Sequence, residues 1–181
     1  VMADYFSSLS ATTEPLVSVC VTAYNHAPYI AQCLDSILAQ ECDFGVEIVL
    51  GEDCSSDYTL EICRSYEARY PDSIRVITSP ENVGMRANYR RVVESSRGKY
   101  IAFCDGDDYF LDTEHLAMQV AIMEENPNIG LCYSRAERID ENGNLVETSV
   151  LDYKGFEANG NDNFVPNAKF KANAECKTVK V

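Results

Sequence analysis

The chain has 181 residues, enough for one ordinary domain of about 100 to 200 residues with a full hydrophobic core. Its 29 acidic and 15 basic side chains give a formal charge of −14. That excludes general nucleic-acid binding, which rests on many Lys and Arg neutralising phosphates, and it disfavours an anionic membrane surface. With 46% apolar and 24% charged residues, the composition is that of a soluble globular protein and not of a disordered acidic tail.

No apolar run approaches the roughly 18 to 20 residues of a membrane-spanning helix. Residues 1–10 carry Asp4 and no Lys or Arg, so they lack the basic first segment of a secretory signal, and a cytoplasmic location is expected. The eight cysteines are scattered, never as C-x-x-C. They read as reduced, small apolar fillers and not as a disulfide framework or metal site.

Residues 1–14 are rich in Ser and Thr without periodicity and read as a flexible leader. The β-branched run Val17 to Thr22 predicts a buried strand. From Ala27 a helix is expected, with Pro28 in its first turn and Ile30, Leu34, Ile37 and Leu38 at helical spacing. Val46 to Leu50 predicts a second strand, and Asp57 the N-cap of a helix reaching Arg69. Ile74 to Thr78 is a third strand, Met85 to Ser95 a helix, and Lys99 to Cys104 a fourth strand ending in acidic residues. Asp112 or Thr113 then caps a helix running to about Asn126, before Pro127. A fifth strand is predicted over Ile129 to Arg138, and Asn142-Gly143 reads as a hairpin turn. Alternating strands and helices of this length imply an α/β fold: a mainly parallel sheet with helices on both faces.

In such a sheet ligands bind beyond the carboxyl ends of the strands, where the loops converge. Three loops there carry polar clusters: Thr22 to His26, Gly51 to Asp57, and Asp105-Gly106-Asp107-Asp108. Three carboxylates within four residues repel one another unless a cation or protons intervene, and hard divalent ions take oxygen ligands of this kind. Gly106 lets the turn bend and a ligand approach. In the second loop Asp57 reads as a helix cap, while Asp53 is free to accept a hydrogen bond from a base edge. Tyr24 reads either as a stacking face or as core, and Asn25 either as a polar reader or as a turn residue. His26 and His115 have no spacing partner for a metal pair or catalytic dyad. Neither G-x-x-x-x-G-K-[ST] nor G-x-G-x-x-G occurs, nor a serine nucleophile elbow.

Taken together, these segments resemble the family 2 glycosyltransferases, which have the GT-A fold, over about Pro15 to Asp140. The strand Val17 to Ala23 with Tyr24-Asn25 looks like that family's opening strand and Tyr-Asn loop. Glu47 to Thr59 looks like its strand followed by D-D-x-S-x-D-x-T, with Glu52 in place of the first Asp. Asn82-Val83-Gly84-Met85-Arg86-Ala87-Asn88 looks like its N-x-G-x-x-x-N segment, and Asp105-Gly106-Asp107-Asp108 matches its D-x-D metal motif with a third Asp.

The resemblance implies an inverting transfer from a nucleotide-diphosphate sugar, commonly a uridine diphosphate sugar, with Mn2+ or Mg2+ bridging the diphosphate. Thr22, Tyr24 and Asn25 would lie beside the nucleoside, and Asp53 would bind the base. Arg86 and Asn88 would contact phosphate or sugar, Asp105 ribose or metal, and Asp107 would be the chief metal carboxylate. The acceptor would be a glycan or lipid-linked glycan in surface polysaccharide synthesis, hence peripheral membrane association, although no basic amphipathic stretch supports it. On this reading residues 15–140 are the nucleotide-sugar-binding core and 141–181 the partly ordered start of an acceptor-side region. The general base is expected beyond Val181. A noncatalytic nucleotide-sugar-binding module of the same fold is the alternative.

Overall fold

A computed structural model describes residues 14–134, 136–140 and 144–149, together with the backbone of a short antiparallel ladder, Phe164–Val165 against Cys176–Lys177. The leader and the Asn142-Gly143 turn lie outside the described residues. The chain divides into two compact units, the first ending at Ala117 and the second starting at Met118.

The first unit is built on four parallel strands, β1 (Val17–Ala23), β2 (Val46–Glu52), β3 (Ile74–Thr78) and β4 (Tyr100–Asp105), in the order β3-β2-β1-β4. Every residue of β1 is buried, as expected for a central parallel strand covered on both sides. Helices α1 (Ile30–Leu38), α2 (Thr59–Arg69) and α3 (Met85–Ser95) connect the strands. Right-handed crossovers put α1 and α2 on one face, and the reversal of direction from β3 back to β4 puts α3 on the other.

On the α3 face Val92 packs against Cys20 and Val49, with Ile77 and Ile101 alongside. Gly51 makes that close approach feasible. A Cβ there would lie 2.2 Å from Asn88 Oδ1 and 2.4 Å from Val92 Cγ2, so a larger residue would force the helix off the sheet.

The predicted elements are present with small shifts. The first helix starts at Ile30, not Ala27, because residues 27–29 form a turn in which the Tyr29 and Ile30 amides donate to the His26 carbonyl. Asp57 lies one position before the N-cap Tyr58 and accepts the first-turn amide of Thr59. A fourth helix, α4 (His115–Glu125), follows Asp112, whose carboxylate accepts the Glu114 amide.

The predicted fifth strand is the main departure. Residues 129–134 form no strand. In the second unit Ile129 and Cys132 pack against Ile122 and Met123 of α4, while Leu131 is exposed, so only part of the apolar run is buried and none of it pairs as a strand. The strand formed is β5 (Ala136–Ile139), antiparallel to β6 (Leu145–Ser149).

Five cysteines, Cys20, Cys33, Cys42, Cys63 and Cys104, are buried as free thiols, and Cys54 is free and exposed. Burial pushes the Cys63 thiol up to about 12 and Cys42 up to about 11, so these side chains act as inert packing.

Candidate active site

The strand order turns at β1, with β2 and β3 on one side and β4 on the other. The loops after β1 and β4 therefore flank the crevice at which α/β sheets bind ligands.

The loops after β1 and β2 are stitched into one surface. Asn25 Oδ1 accepts the Ser56 amide at 2.9 Å, and the Asn25 amide donates to Ser55 Oγ at 2.9 Å. The amides of His26 and Ala27 donate to Thr59 Oγ1 and Asp57 Oδ2. Desolvation works against the Asp57 charge, but hydrogen bonds from Thr59 and Ala27 outweigh it and hold the carboxyl below its ordinary value.

Glu52 is buried, and its carboxylate accepts the Ser55 amide at 2.7 Å and the Cys54 amide at 3.3 Å. Asn25 and Cys54 hold left-handed backbone, φ 56° and 58°. Asn adopts this region readily, whereas Cys does so only where its surroundings compel it.

Asp53 is 2% exposed. Its two oxygens accept the amides of Val83 and Gly84, each at 2.9 Å, and Arg91 Nη2 stands 3.6 Å away. The carboxylate thus anchors the segment leading into α3. Asn88 is also buried. Its Nδ2 donates to the Gly51 carbonyl at 2.8 Å and its Oδ1 accepts from Arg91 Nε at 2.9 Å. Tyr24 stands 46% exposed after β1, and Arg86 is exposed in the first turn of α3.

The acidic loop begins at Asp105, which is paired in register with Thr22. Asp105 Oδ1 accepts the Thr22 hydroxyl at 2.9 Å and also the Tyr89 phenol. Burial and the Asp105 charge raise the Tyr89 pKa, so the phenol keeps its proton and remains a donor. Gly106 is pinned by its amide to the Thr22 carbonyl at 2.8 Å. A Cβ on it would meet that carbonyl at 2.8 Å and His26 Nδ1 at 2.9 Å. The glycine therefore serves the contact between the two loops.

Asp107 projects outward, its side chain 53% exposed, with Oδ1 4.0 Å from His26 Nδ1. That nitrogen is buried with no hydrogen-bond partner among the described residues. Burial raises the Asp108 carboxyl above its ordinary value, and the charges of Asp107 and Asp105 push it the same way.

The donor set fits a divalent cation. Asp105 Oδ2 and the Asp107 carboxylate are hard oxygen donors, and Mg2+ is commonly bound through one or two carboxylates plus substrate phosphates. Among the described residues no three His, Cys, Asp or Glu side chains converge to hold an ion by themselves. The phosphates of a ligand would have to complete the shell.

The structure joins Thr22 to Asp105 by a hydrogen bond and leaves Tyr24 and Asp107 exposed on the loops that follow the same two strands. It places Asn25, Asp53 and Asn88 in the bonding that shapes the crevice. Glu52, Tyr89 and Arg91 belong to that framework and carried no sequence signal beyond the motif position of Glu52. Arg91 Nη2 donates to the Glu52 carbonyl at 2.6 Å, a contact that depends on helix phase.

Comparison with known proteins agrees with this fold. Chondroitin synthase of Escherichia coli is 33% identical over 139 residues, 76% of this chain and 20% of that protein. Among solved structures, S. aureus TarS in complex with UDP-GlcNAc superposes with a TM-score of 0.55 at 31% identity, covering 61% of this chain and 32% of that one. The mannosyltransferase PcManGT from Pyrobaculum calidifontis, in complex with GDP-Man and Mn2+, gives 0.60 at 25% identity, covering 75% and 41%. The chain spans less than half the length of the curated relatives it matches. Residues 18–174 match the family described as Glycosyl transferase family 2, and the protein with this parallel sheet and acidic crevice belongs to that family.

Proposed function

We propose that this chain carries the donor-binding part of an inverting glycosyltransferase that uses a uridine diphosphate sugar together with Mn2+ or Mg2+. The acceptor in this reading is a hydroxyl of a glycan or lipid-linked glycan. The observation that carries it is the acidic loop: three carboxylates gather at the carboxyl end of β4, and among the described residues no Lys or Arg is paired with them. Support for the donor class comes from the UDP-GlcNAc and GDP-Man held by the two structural neighbours, and support for a glycan product from the resemblance to chondroitin synthase.

When bound, the cation supplies stabilisation for the negative charge that builds on the leaving diphosphate. The residues of the chain bind and orient. Tyr24 offers an exposed ring against which the base stacks, and Asp53 holds the segment leading into α3 so that the exposed Arg86 faces the phosphates. Asn25 and Glu52 fix the two loops, while Asp105 and Asp107 present oxygens toward the diphosphate. A protein of charge −14 repels a dianionic donor, so a cation held by Asp105 and Asp107 would offset that repulsion. The general base is assigned to no described residue.

The test is release of UDP from UDP-sugars in the presence of a glycan acceptor, with Mn2+ and with a chelator. Metal-dependent release supports the transferase. Donor binding without release in the complete protein would favour a noncatalytic binding module.

A further inference from the structure

We propose that Tyr89 is a positioning residue for the donor site, fixing the orientation of Asp105 so that Oδ2 is the oxygen presented to the ligand. This rests on the reading above that Asp105 meets the donor or its cation.

A carboxylate at the end of a strand can rotate about its Cβ–Cγ bond, and ligand binding must then freeze that rotation. Here two hydroxyls converge on a single oxygen. Thr22 donates to Oδ1 from β1 at 2.9 Å, and Tyr89 donates to the same atom from α3. Among the described residues nothing bonds to Oδ2. The carboxylate is thus oriented before any ligand arrives, the form of preorganisation that supports tight binding.

The phenol reaches Asp105 because α3 packs directly against the carboxyl end of β2. Gly51 has no side chain to hold the helix off. Asn88 and Arg91 donate to the carbonyls of Gly51 and Glu52 and so fix the helix in rotation and height. The edge-on contact of the Tyr89 and Phe103 rings, 5.6 Å between centroids at 61°, sets the ring plane. At its amino end, one turn before Tyr89, the same helix follows Val83 and Gly84, whose amides are held by Asp53. One rigid element thereby ties the base-side loop to the acidic loop.

The test is calorimetric titration of UDP in the presence of Mn2+ into wild type, Tyr89→Phe, Asp105→Ala and the double variant. Loss of one charge-assisted hydrogen bond to Asp105 should weaken binding roughly 10-fold in Tyr89→Phe. Tyr89→Phe should have no further effect on Asp105→Ala, because Tyr89 acts through that carboxylate. An equal loss in both backgrounds would assign Tyr89 to packing and overturn the proposal, as would unchanged affinity in Tyr89→Phe. Thr22→Val reads the same oxygen from β1. It should weaken binding by a similar factor and also be silent without Asp105, which would show that a hydroxyl on Oδ1 acts through that carboxylate. Wild type that binds no UDP would overturn the donor reading itself, a result distinct from wild-type binding with indifferent variants.

Discussion

The same four strands carry a carboxylate site at each end, and the two are treated in opposite ways. Near the amino ends Glu47 is 4% exposed and fully met. It accepts the Ser18 hydroxyl at 2.7 Å, the Arg97 amide at 2.7 Å and the Arg97 guanidinium at 3.0 and 2.8 Å, with Arg75 3.6 Å away. At the carboxyl ends Asp105, Asp107 and Asp108 crowd together, and among the described residues the basic group paired with them is His26, 4.0 Å from Asp107. A buried charge is tolerable when paired and hydrogen-bonded. The first site satisfies that rule internally and serves stability. The second leaves its carboxylates without a Lys or Arg partner among the described residues, which is the feature that the proposed cation and anionic donor would answer.

Substitutions should separate the two ends. The largest expected effect is that of Asp107→Asn on UDP binding in the presence of Mn2+. Affinity should fall roughly 100-fold, about 2.7 kcal/mol, with the unfolding midpoint unchanged or raised because like-charge repulsion is relieved. Next is Glu47→Ala, which strands the Ser18 hydroxyl and the Arg97 amide. Chemical denaturation should show a loss of about 2 kcal/mol, below the value for a fully buried pair because Arg97 is 57% exposed. The folded fraction should bind UDP as before.

The pH dependence of stability sharpens the contrast. Burial alone would raise the Glu47 carboxyl, but hydrogen bonds from Ser18 and Arg97 and the Arg97 charge outweigh it and hold the pKa below the ordinary 4.5. A depressed carboxyl contributes stability that is present above its unfolded value and lost as pH falls through its folded value. Wild type should therefore lose stability relative to Glu47→Gln as pH drops from about 5 to about 3, a difference measurable by denaturation at fixed pH steps. The smallest effect is at Cys54. Cys54→Gly removes the left-handed strain at φ 58°, offset by the greater freedom of glycine in the unfolded chain, for a net gain of about 0.5 kcal/mol.

Much of the core was legible because its signals are local. β3 (Ile74–Thr78) and α3 (Met85–Ser95) have the bounds that β-branched clustering and helical spacing predict. The three site loops stood out because polar clusters followed apolar strands. Residues 129–134 misled because an apolar run reads the same whether it pairs as a strand or packs irregularly against α4. Asp53 and Asn88 read as ligand contacts, yet their bonds are to Val83, Gly84, Gly51 and Arg91. Those partners are 30 to 37 residues away or set by helix phase. Tyr89 carried no signal because its role arises only once Gly51 admits α3 to the strand ends.

The central claim is that the uncompensated carboxylates bind a nucleoside diphosphate through a divalent cation. Calorimetric titration of wild type with UDP, in Mn2+ and then in excess chelator, tests it most directly. Saturable binding with Mn2+ that vanishes in chelator is the predicted result. Binding of equal strength in both conditions, or none in either, would contradict it.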